Sequence, residues 1–428
     1  MKHFKEPGQG QKKRDWFAPS GVSDIVAEII RDVSERKDAA LAEYEKKFSR
    51  SDRTSFRVSA KEVKAAYGDV PKDLVKAVRT AAENIRDFAR AQLETVKELP
   101  LRELRPGVWL GHRMIPADSC CCYVPGGRYP LFSTALMLAV PAKAAGVRRV
   151  FCCTPVVKGS DLPHAATLVA LDIAGVNEIY AVGGAQAIAA AACGTETIPA
   201  ADLIVGPGNV YVTEAKRQVY GRVGIDFVAG PSEVLIIADE TADPEIVAAD
   251  LLAQSEHDPE ARGILVTTSE ELAARVADET ERLLKEIDTK ATARLSWNAR
   301  GEILVAGSLE EAVEYSNKMA PEHLEVNTKN PEALLGDLKN YGALFLGSGS
   351  AEVFGDYVAG TNHTLPTMGA ARYTGGLWAG TFLKTCTYQK ITSEGIEALA
   401  PAAEIMAQNE GLSAHALAAR LRRNRKEG

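Results

Sequence analysis

Apolar side chains at Ile25, Val26, Ile29, Ile30, Val33, Ala39, Leu41 and Phe48 recur close to the helical period, which predicts an amphipathic helical segment over 23–48; the same spacing predicts helix over 63–93. At Cys120 the pattern changes. Short β-rich runs occupy 120–124, 149–153, 178–182 and 202–205, alternating with helix-like periodicity over 134–145, 164–174, 186–192 and 212–220. A second series follows, with strands predicted at 234–238, 263–267, 302–305 and 342–346 and helices at 244–255, 270–287 and 308–319. Beyond an irregular Gly- and Thr-rich stretch over 360–387, helical periodicity returns. Strands alternating with helices predict parallel, doubly wound sheets, which take their ligands at the carboxyl ends of the strands. The expected fold class is α/β: two doubly wound, incomplete Rossmann-like domains with a helical N-terminal segment and a helical C-terminal tail.

A chain of 428 residues is too long for one ordinary core. Its 46% hydrophobic and 25% charged residues are those of a globular enzyme rather than of a disordered chain. The net charge of -7 argues against a nucleic-acid partner. The basic run over 420–426 reads as a solvated helix end, where cations suit the dipole. No stretch of 18 apolar residues and no apolar leader is visible, so no membrane segment and a cytoplasmic location are expected. Seven cysteines, at 120, 121, 122, 152, 153, 193 and 386, include a triplet and a doublet within predicted strands. Neighbours there point to opposite faces and cannot easily bridge, so reduced, buried thiols are expected. Without a Cys-x-x-Cys spacing, a thiolate zinc site is not expected.

The candidate chemistry is carried by few residues. Glu322 and His323, just after Pro321, place an acid and a base side by side; the plain alternative is a solvated or capping histidine near a helix start. Gln254 and His257 stand at i and i+3 where a predicted helix ends before Pro259; a helix cap and a surface histidine would explain them equally. Asp356 and His363 share a Gly-rich stretch, and Glu410 and His415 lie five residues apart. Histidine with oxygen ligands is the donor set of an open, catalytic zinc site, but spacing alone does not choose the ligands. A Gly-x-Gly-x-x-Gly fingerprint is absent. In its place Tyr123-Val-Pro-Gly-Gly127, Gly183-Gly-Ala-Gln186 and Gly206-Pro-Gly-Asn209 each follow a predicted strand, as phosphate-approaching loops do and as plain tight turns also do.

Together these segments resemble the histidinol dehydrogenase family. Tyr123-Val-Pro-Gly-Gly, Gly183-Gly-Ala-Gln-Ala-Ile-Ala-Ala, Val205-Gly-Pro-Gly-Asn, Ala229-Gly-Pro-Ser-Glu-Val-Leu, Asp250-Leu-Leu-Ala-Gln-Ser-Glu-His-Asp, Ala320-Pro-Glu-His-Leu-Glu, Gly355-Asp-Tyr-Val-Ala-Gly-Thr-Asn-His and Glu410-Gly-Leu-Ser-Ala-His stand in the family's order, from about Ser20 to Arg423. The resemblance implies a zinc ion held by Gln254, His257, Asp356 and His415; substrate contacts from Ser232, His323, His363 and Glu410; and NAD contacts from Tyr123, Gln186 and Asn209. It implies an intertwined homodimer whose tail carries Glu410 and His415 into the partner's site. The expected division is an extension over 1–19, a first α/β domain over 20–123 plus 233–376, a second, NAD-binding domain over 124–232, and a helical, dimer-exchanged tail over 377–428. The implied chemistry is oxidation of a small primary alcohol through an aldehyde to a carboxylate, with two NAD, Glu322 activating water and His323 relaying protons.

The segment 371–385, with 360–367 and 388–392 around it, departs from histidine-making members and looks more like the sulfopropanediol 3-dehydrogenase branch, which oxidises 2,3-dihydroxypropane-1-sulfonate to sulfolactate. Tyr357 and the Pro321-Glu-His-Leu context look like ordinary histidinol dehydrogenases. A slight lean falls on the sulfonated diol, with L-histidinol the alternative. A sulfonate would need fixed cations, which Arg372, Lys384 or Arg128 could supply; surface ion pairs explain Arg372 and Lys384 equally. A catalytically silent, ligand-binding paralogue is the competing class, and an intact ligand set argues against it.

Overall fold

Two parallel sheets wound in the same order carry the chain. The structure, a computed structural model, describes residues 1–8, 21–126 and 129–424. An edge strand, β1 (Lys2–Lys5), is followed by helices α1 (Val22–Arg36), α2 (Asp38–Tyr44), α3 (Ala60–Ala66) and α4 (Lys72–Glu94). The helix expected over 23–48 is broken at Lys37, whose φ of 56° is left-handed, and α2 runs into one π turn, Glu45–Ser49. Strands β2 (Leu99–Arg105) and β3 (Val108–Pro116) form an antiparallel pair.

The first parallel sheet is built from β4 (Ser119–Tyr123), α5 (Phe132–Ala144), β5 (Arg149–Thr154), α6 (Ala165–Ile173), β6 (Ile179–Ala181), α7 (Gly184–Cys193), β7 (Leu203–Val205), α8 (Val210–Val219) and β8 (Gly224–Ile225). Its strand order is β6-β5-β4-β7-β8, so the winding reverses at β4. The second runs through β9 (Glu233–Ala238), α9 (Pro244–Ser255), β10 (Arg262–Thr267), α10 (Glu270–Leu283), α11 (Lys290–Arg300), β11 (Glu302–Val305), α12 (Leu309–Met319), β12 (His323–Asn327) and β13 (Ala343–Leu346), ordered β1-β11-β10-β9-β12-β13 with only β1 antiparallel. All six residues of β9 are buried, as a strand covered by helices on both faces requires. Helix α13 (Glu352–Tyr357), strand β14 (Leu383–Ile391), which joins β3, and the helical hairpin α14 (Ser393–Asn409) and α15 (Ser413–Asn424) complete the chain.

Cysteine alternation works as expected: Cys120, Cys122 and Cys152 enter one core of the first sheet, Cys121 and Cys153 the core on its other face. All seven thiols are free. Val26, Val33 and Leu41 of α1 and α2 lie in the core with Phe151 and Ile188, and Val78 and Ile85 of α4 in the core with Leu136 and Val150. The N-terminal helices thus pack on the two apolar faces of the first sheet, which is built on β4. The plain alternative of a solvated histidine near a helix start does not describe Glu322-His323, which are buried at the entry to a strand. Ala320 takes a left-handed φ of 54° and ends α12, and His323 opens β12, which lies between β9 and β13.

Candidate functional site

The site gathers at the amino edge of the second sheet, not at its carboxyl edge. His323 pairs with Val234 and Ala343 at the start of β12, and α9, running back antiparallel to β9, delivers Gln254 and His257 to the same edge. The edge faces the carboxyl end of the first sheet: Thr134, in the first turn of α5, meets His363 Nε2 at 3.1 Å, and Asn362 donates to the Met137 carbonyl at 2.6 Å.

Within this seam, Glu322 and His323 are 5% and 3% exposed. The Glu322 carboxylate accepts the Glu233 N–H at 2.9 Å. Nδ1 of His323 lies 3.3 Å from the Glu233 carbonyl, 3.6 Å from Glu352 and 3.7 Å from Glu322, while Nε2 lies 3.5 Å from Asp356. Phe345 stacks on the ring. Burial disfavours charge on the imidazole, but Glu352, Glu322 and Asp356 outweigh it and raise the His323 pKa well above its ordinary value. Burial pushes Glu322 up to about 8. Burial also opposes ionisation of Asp356, yet contact with His323 holds it below the usual carboxylate range.

His257, Glu352 and Asp356 each present a ligand atom, all within 4.8 Å of one another. Gln254 is fully buried. With its amide nitrogen turned toward Glu352 it donates to both carboxylate oxygens, at 2.7 and 3.1 Å, and this orientation is the one its neighbours dictate. Its carbonyl oxygen is then free to ligate. Nε2 of His323 is buried without a hydrogen-bond partner. One imidazole, two carboxylates and an amide oxygen converging beside an unsatisfied buried nitrogen are a fitting donor set for zinc. Sequence reasoning missed Glu352; its position one helical turn before Asp356 on α13 was the available signal.

Other expected residues fall differently. His363 joins the site: its Nδ1 contacts the Asp356 carbonyl at 2.9 Å, and burial lowers its pKa. Ser232 lies at the same edge, just before β9, its carbonyl accepting from Arg262. His415 and Glu410 are exposed on the α14–α15 hairpin and are not in the metal-capable group of their own chain. Arg372 and Lys384 do not join the site either. The Arg372 guanidinium is exposed and donates to the carbonyls of Gly369 and Lys318, so it staples a loop. Lys384 is exposed on β14, paired with Ile115 of the antiparallel sheet. Arg128 and residues 425–426 of the basic run lie outside the described residues.

Residues 123–126, 183–186 and 206–209 lie at the carboxyl end of the first sheet, two of the three segments after β4 and its neighbour β7, where the winding reverses and doubly wound sheets bind ligands; Gly127 lies outside the described residues. Tyr123 is buried, its hydroxyl accepting the Gly184 N–H at 3.0 Å. Gln186 is 2% exposed. Asn209 caps α8 by accepting from Tyr211 and Val212. Gly206 has a φ of 125°, and a Cβ there would stand 2.2 Å from the Tyr123 carbonyl, so only glycine fits. A buried ion pair, Lys216–Asp226, grips this residue at both ends: Lys216 donates to its carbonyl and Asp226 accepts its N–H, each at 2.8 Å.

The fold and this seam are those of a dehydrogenase with a metal-capable site. Residues 12–423 match the family profile described as histidinol dehydrogenase. The histidinol dehydrogenase of Synechococcus is 49% identical over 93% of this chain and 91% of its own, and that of Methanothermobacter thermautotrophicus 47% over 91% of each. A histidinol dehydrogenase homolog of Shouchella clausii is 47% identical over 94% of each chain. The crystal structure of the Elizabethkingia anophelis histidinol dehydrogenase superposes with a TM-score of 0.90 at 40% identity, covering 97% of this chain and 94% of that one. The chain belongs to the histidinol dehydrogenase family and is an oxidoreductase. Among the described residues no helix is long and apolar enough to cross a membrane.

Proposed function

We propose that the protein is a zinc- and NAD-dependent dehydrogenase that oxidises a primary alcohol through an aldehyde to a carboxylate, with L-histidinol as the substrate. The observation that carries the reading is the buried imidazole of His323, set between Glu322 and the metal-capable group of Gln254, His257, Glu352 and Asp356. The names of relatives near 47–49% identity favour histidinol. The sulfonated diol is the second reading, carried by the segment 371–385; against it, Arg372 is committed to backbone carbonyls and Lys384 lies on the antiparallel sheet, so neither supplies the cation a sulfonate needs.

Zinc, when bound, would anchor the substrate's heteroatoms and polarise its hydroxyl. In the chain alone, Glu352, Glu322 and Asp356 favour the protonated imidazole; a divalent ion held by Gln254, His257, Glu352 and Asp356 would offset their field and favour the neutral ring that accepts a proton. His323 would then accept the alcohol proton, with NAD, when bound, supplying the hydride acceptor. Glu322, on the same strand entry and held by the Glu233 N–H, deprotonates the water that adds to the aldehyde, and His323 serves again in the second oxidation. Burial of both side chains excludes bulk water, protecting the aldehyde. Exposed apolar residues Leu399, Ile405, Met406, Leu412, Leu417 and Leu421 line the C-terminal hairpin, which supports its docking on a second copy, with Glu410 and His415 completing the partner's site.

The test is NADH formation with L-histidinol and with 2,3-dihydroxypropane-1-sulfonate. Two NADH per histidinol, lost on chelation and restored by zinc, are expected. Turnover of the sulfonate alone would transfer the assignment to the second reading, and activity surviving both chelation and His323→Ala would remove the mechanism.

A further inference from the structure

The first sheet's cofactor turns are tied to the N-terminal helices by a group that the mechanism leaves unused. Glu45 opens the π turn after α2 and is 1% exposed. Its Oε1 accepts the Gly183 N–H at 3.1 Å and the Gln186 side-chain amide at 2.8 Å, and its Oε2 accepts from the Ser49 hydroxyl at 2.7 Å. The turn it holds has no slack. Gly184 takes a φ of 65°, and a Cβ on Gly183 would meet Pro155 at 2.5 Å. The next N–H, that of Gly184, goes to the Tyr123 hydroxyl.

We propose that Glu45 is a positioning residue of the dinucleotide crevice, fixing Gln186 and the Gly183–Gly184 turn in the geometry that receives the cofactor; this rests on the reading of NAD given above. A single extra residue in a helix widens it into a π turn and re-aims the side chains on it, a device frequent at functional sites. Here it carries a carboxylate to the amino end of α7, where it accepts the Gly183 N–H and the Gln186 amide.

The bonding pattern gives a sharp test, because both cofactor-side bonds use one oxygen. Glutamine at 45 keeps that oxygen for Gly183 and Gln186 and can donate to Ser49 with its nitrogen, whereas alanine keeps none of the three bonds. Equilibrium NADH binding, read by nucleotide fluorescence, is measured on the zinc-loaded parent, Glu45→Ala and Glu45→Gln. Loss of about tenfold in affinity is expected for Glu45→Ala, as for a pair of hydrogen bonds lost from a positioning network, with Glu45→Gln returning to within about threefold of the parent. Bound zinc per chain should be the same in all three, which separates cofactor positioning from general loosening. Glu45→Met, which fills the volume without an acceptor, replaces the alanine variant if that one does not fold. Parent-like binding by Glu45→Ala or Glu45→Met overturns the inference, and so does a loss in Glu45→Gln equal to that in the alanine variant. A parent protein that binds no NADH overturns the cofactor reading itself.

Discussion

Glu352, which the sequence did not single out, sits at the centre of the site: its carboxylate receives the Gln254 amide, stands 3.6 Å from His323 and shares the metal-capable group with His257 and Asp356. A ligand whose second polar atom is held this way is oriented before the metal arrives, and losing such a partner costs about 10–100-fold in metal affinity. Glu352→Ala should therefore release zinc at correspondingly lower chelator concentration, measured by competition with a chromogenic chelator; retention equal to the parent would show that Gln254 needs no such support. Behind it, Glu325 accepts the Glu352 N–H at 2.9 Å and faces Asp250. Burial raises Glu325 to about 8 and Asp250 to about 6. Raised carboxyl pKa values mean that the folded chain binds protons more tightly than the unfolded one. The stability this pair contributes is full below the ordinary value of 4.5 and is lost as pH rises through about 8. Denaturant midpoints should fall between about pH 5.5 and pH 8.5, and Glu325→Gln, which keeps the acceptor for Glu352, should shrink that fall. An unchanged pH dependence would show that the pair does not share its proton.

At the scale of elements, the proposed catalytic pair is aimed by the entry into β12 rather than by its own side chains. The left-handed Ala320 turns the chain out of α12. Pro321 and Glu322 then bond through their carbonyls to Gly342 and Ala343, at 3.0 and 2.9 Å. A Cβ at Gly342 would stand 2.6 Å from the Glu322 carbonyl and 3.1 Å from both Leu365 and Pro366. Because these are backbone and packed atoms, the strand must shift. Gly342→Ala should cost about 1–3 kcal/mol of stability and lower kcat by tenfold or so with bound zinc unchanged, since overpacking displaces the base more than the ligands. Thermal melts and steady-state kinetics check both halves; parent-like kcat would show that β13 does not set the position of Glu322. The same elements explain what the sequence could not place. A proline followed by Glu-His carries no strand alternation of its own, and only pairing with β9 and β13 makes it a strand.

For the whole molecule, the seam between the two sheets supplies one side of the site, and the proposed docking of the exposed apolar hairpin on a second copy would supply the other. If His415 serves the partner's site, chains carrying His323→Ala and chains carrying His415→Ala are each inactive alone, but a mixed dimer retains one intact site. Random reassortment then restores about a quarter of parent activity, a consequence of two-fold exchange; no recovery would place the tail on its own chain. The alternation of buried strands and amphipathic helices was legible because periodicity is local; Gln254, His257, Glu322, His323 and Asp356 stood out as candidates because their motifs are contiguous, though spacing alone did not choose among them. The antiparallel β2–β3–β14 sheet and the sorting of the N-terminal helices onto the first sheet were not, since both depend on pairings across long stretches of chain. Arg372 and Lys384 show the same limit: a cation's residue type is visible in the sequence, but what it faces is not. The sequence by itself determined the elements, the family and the chemical groups available to the site. Only the tertiary structure decided which of them meet, at the amino edge of one sheet against the carboxyl edge of the other, because that depends on how separate cores bury their faces and not on any local preference of the chain.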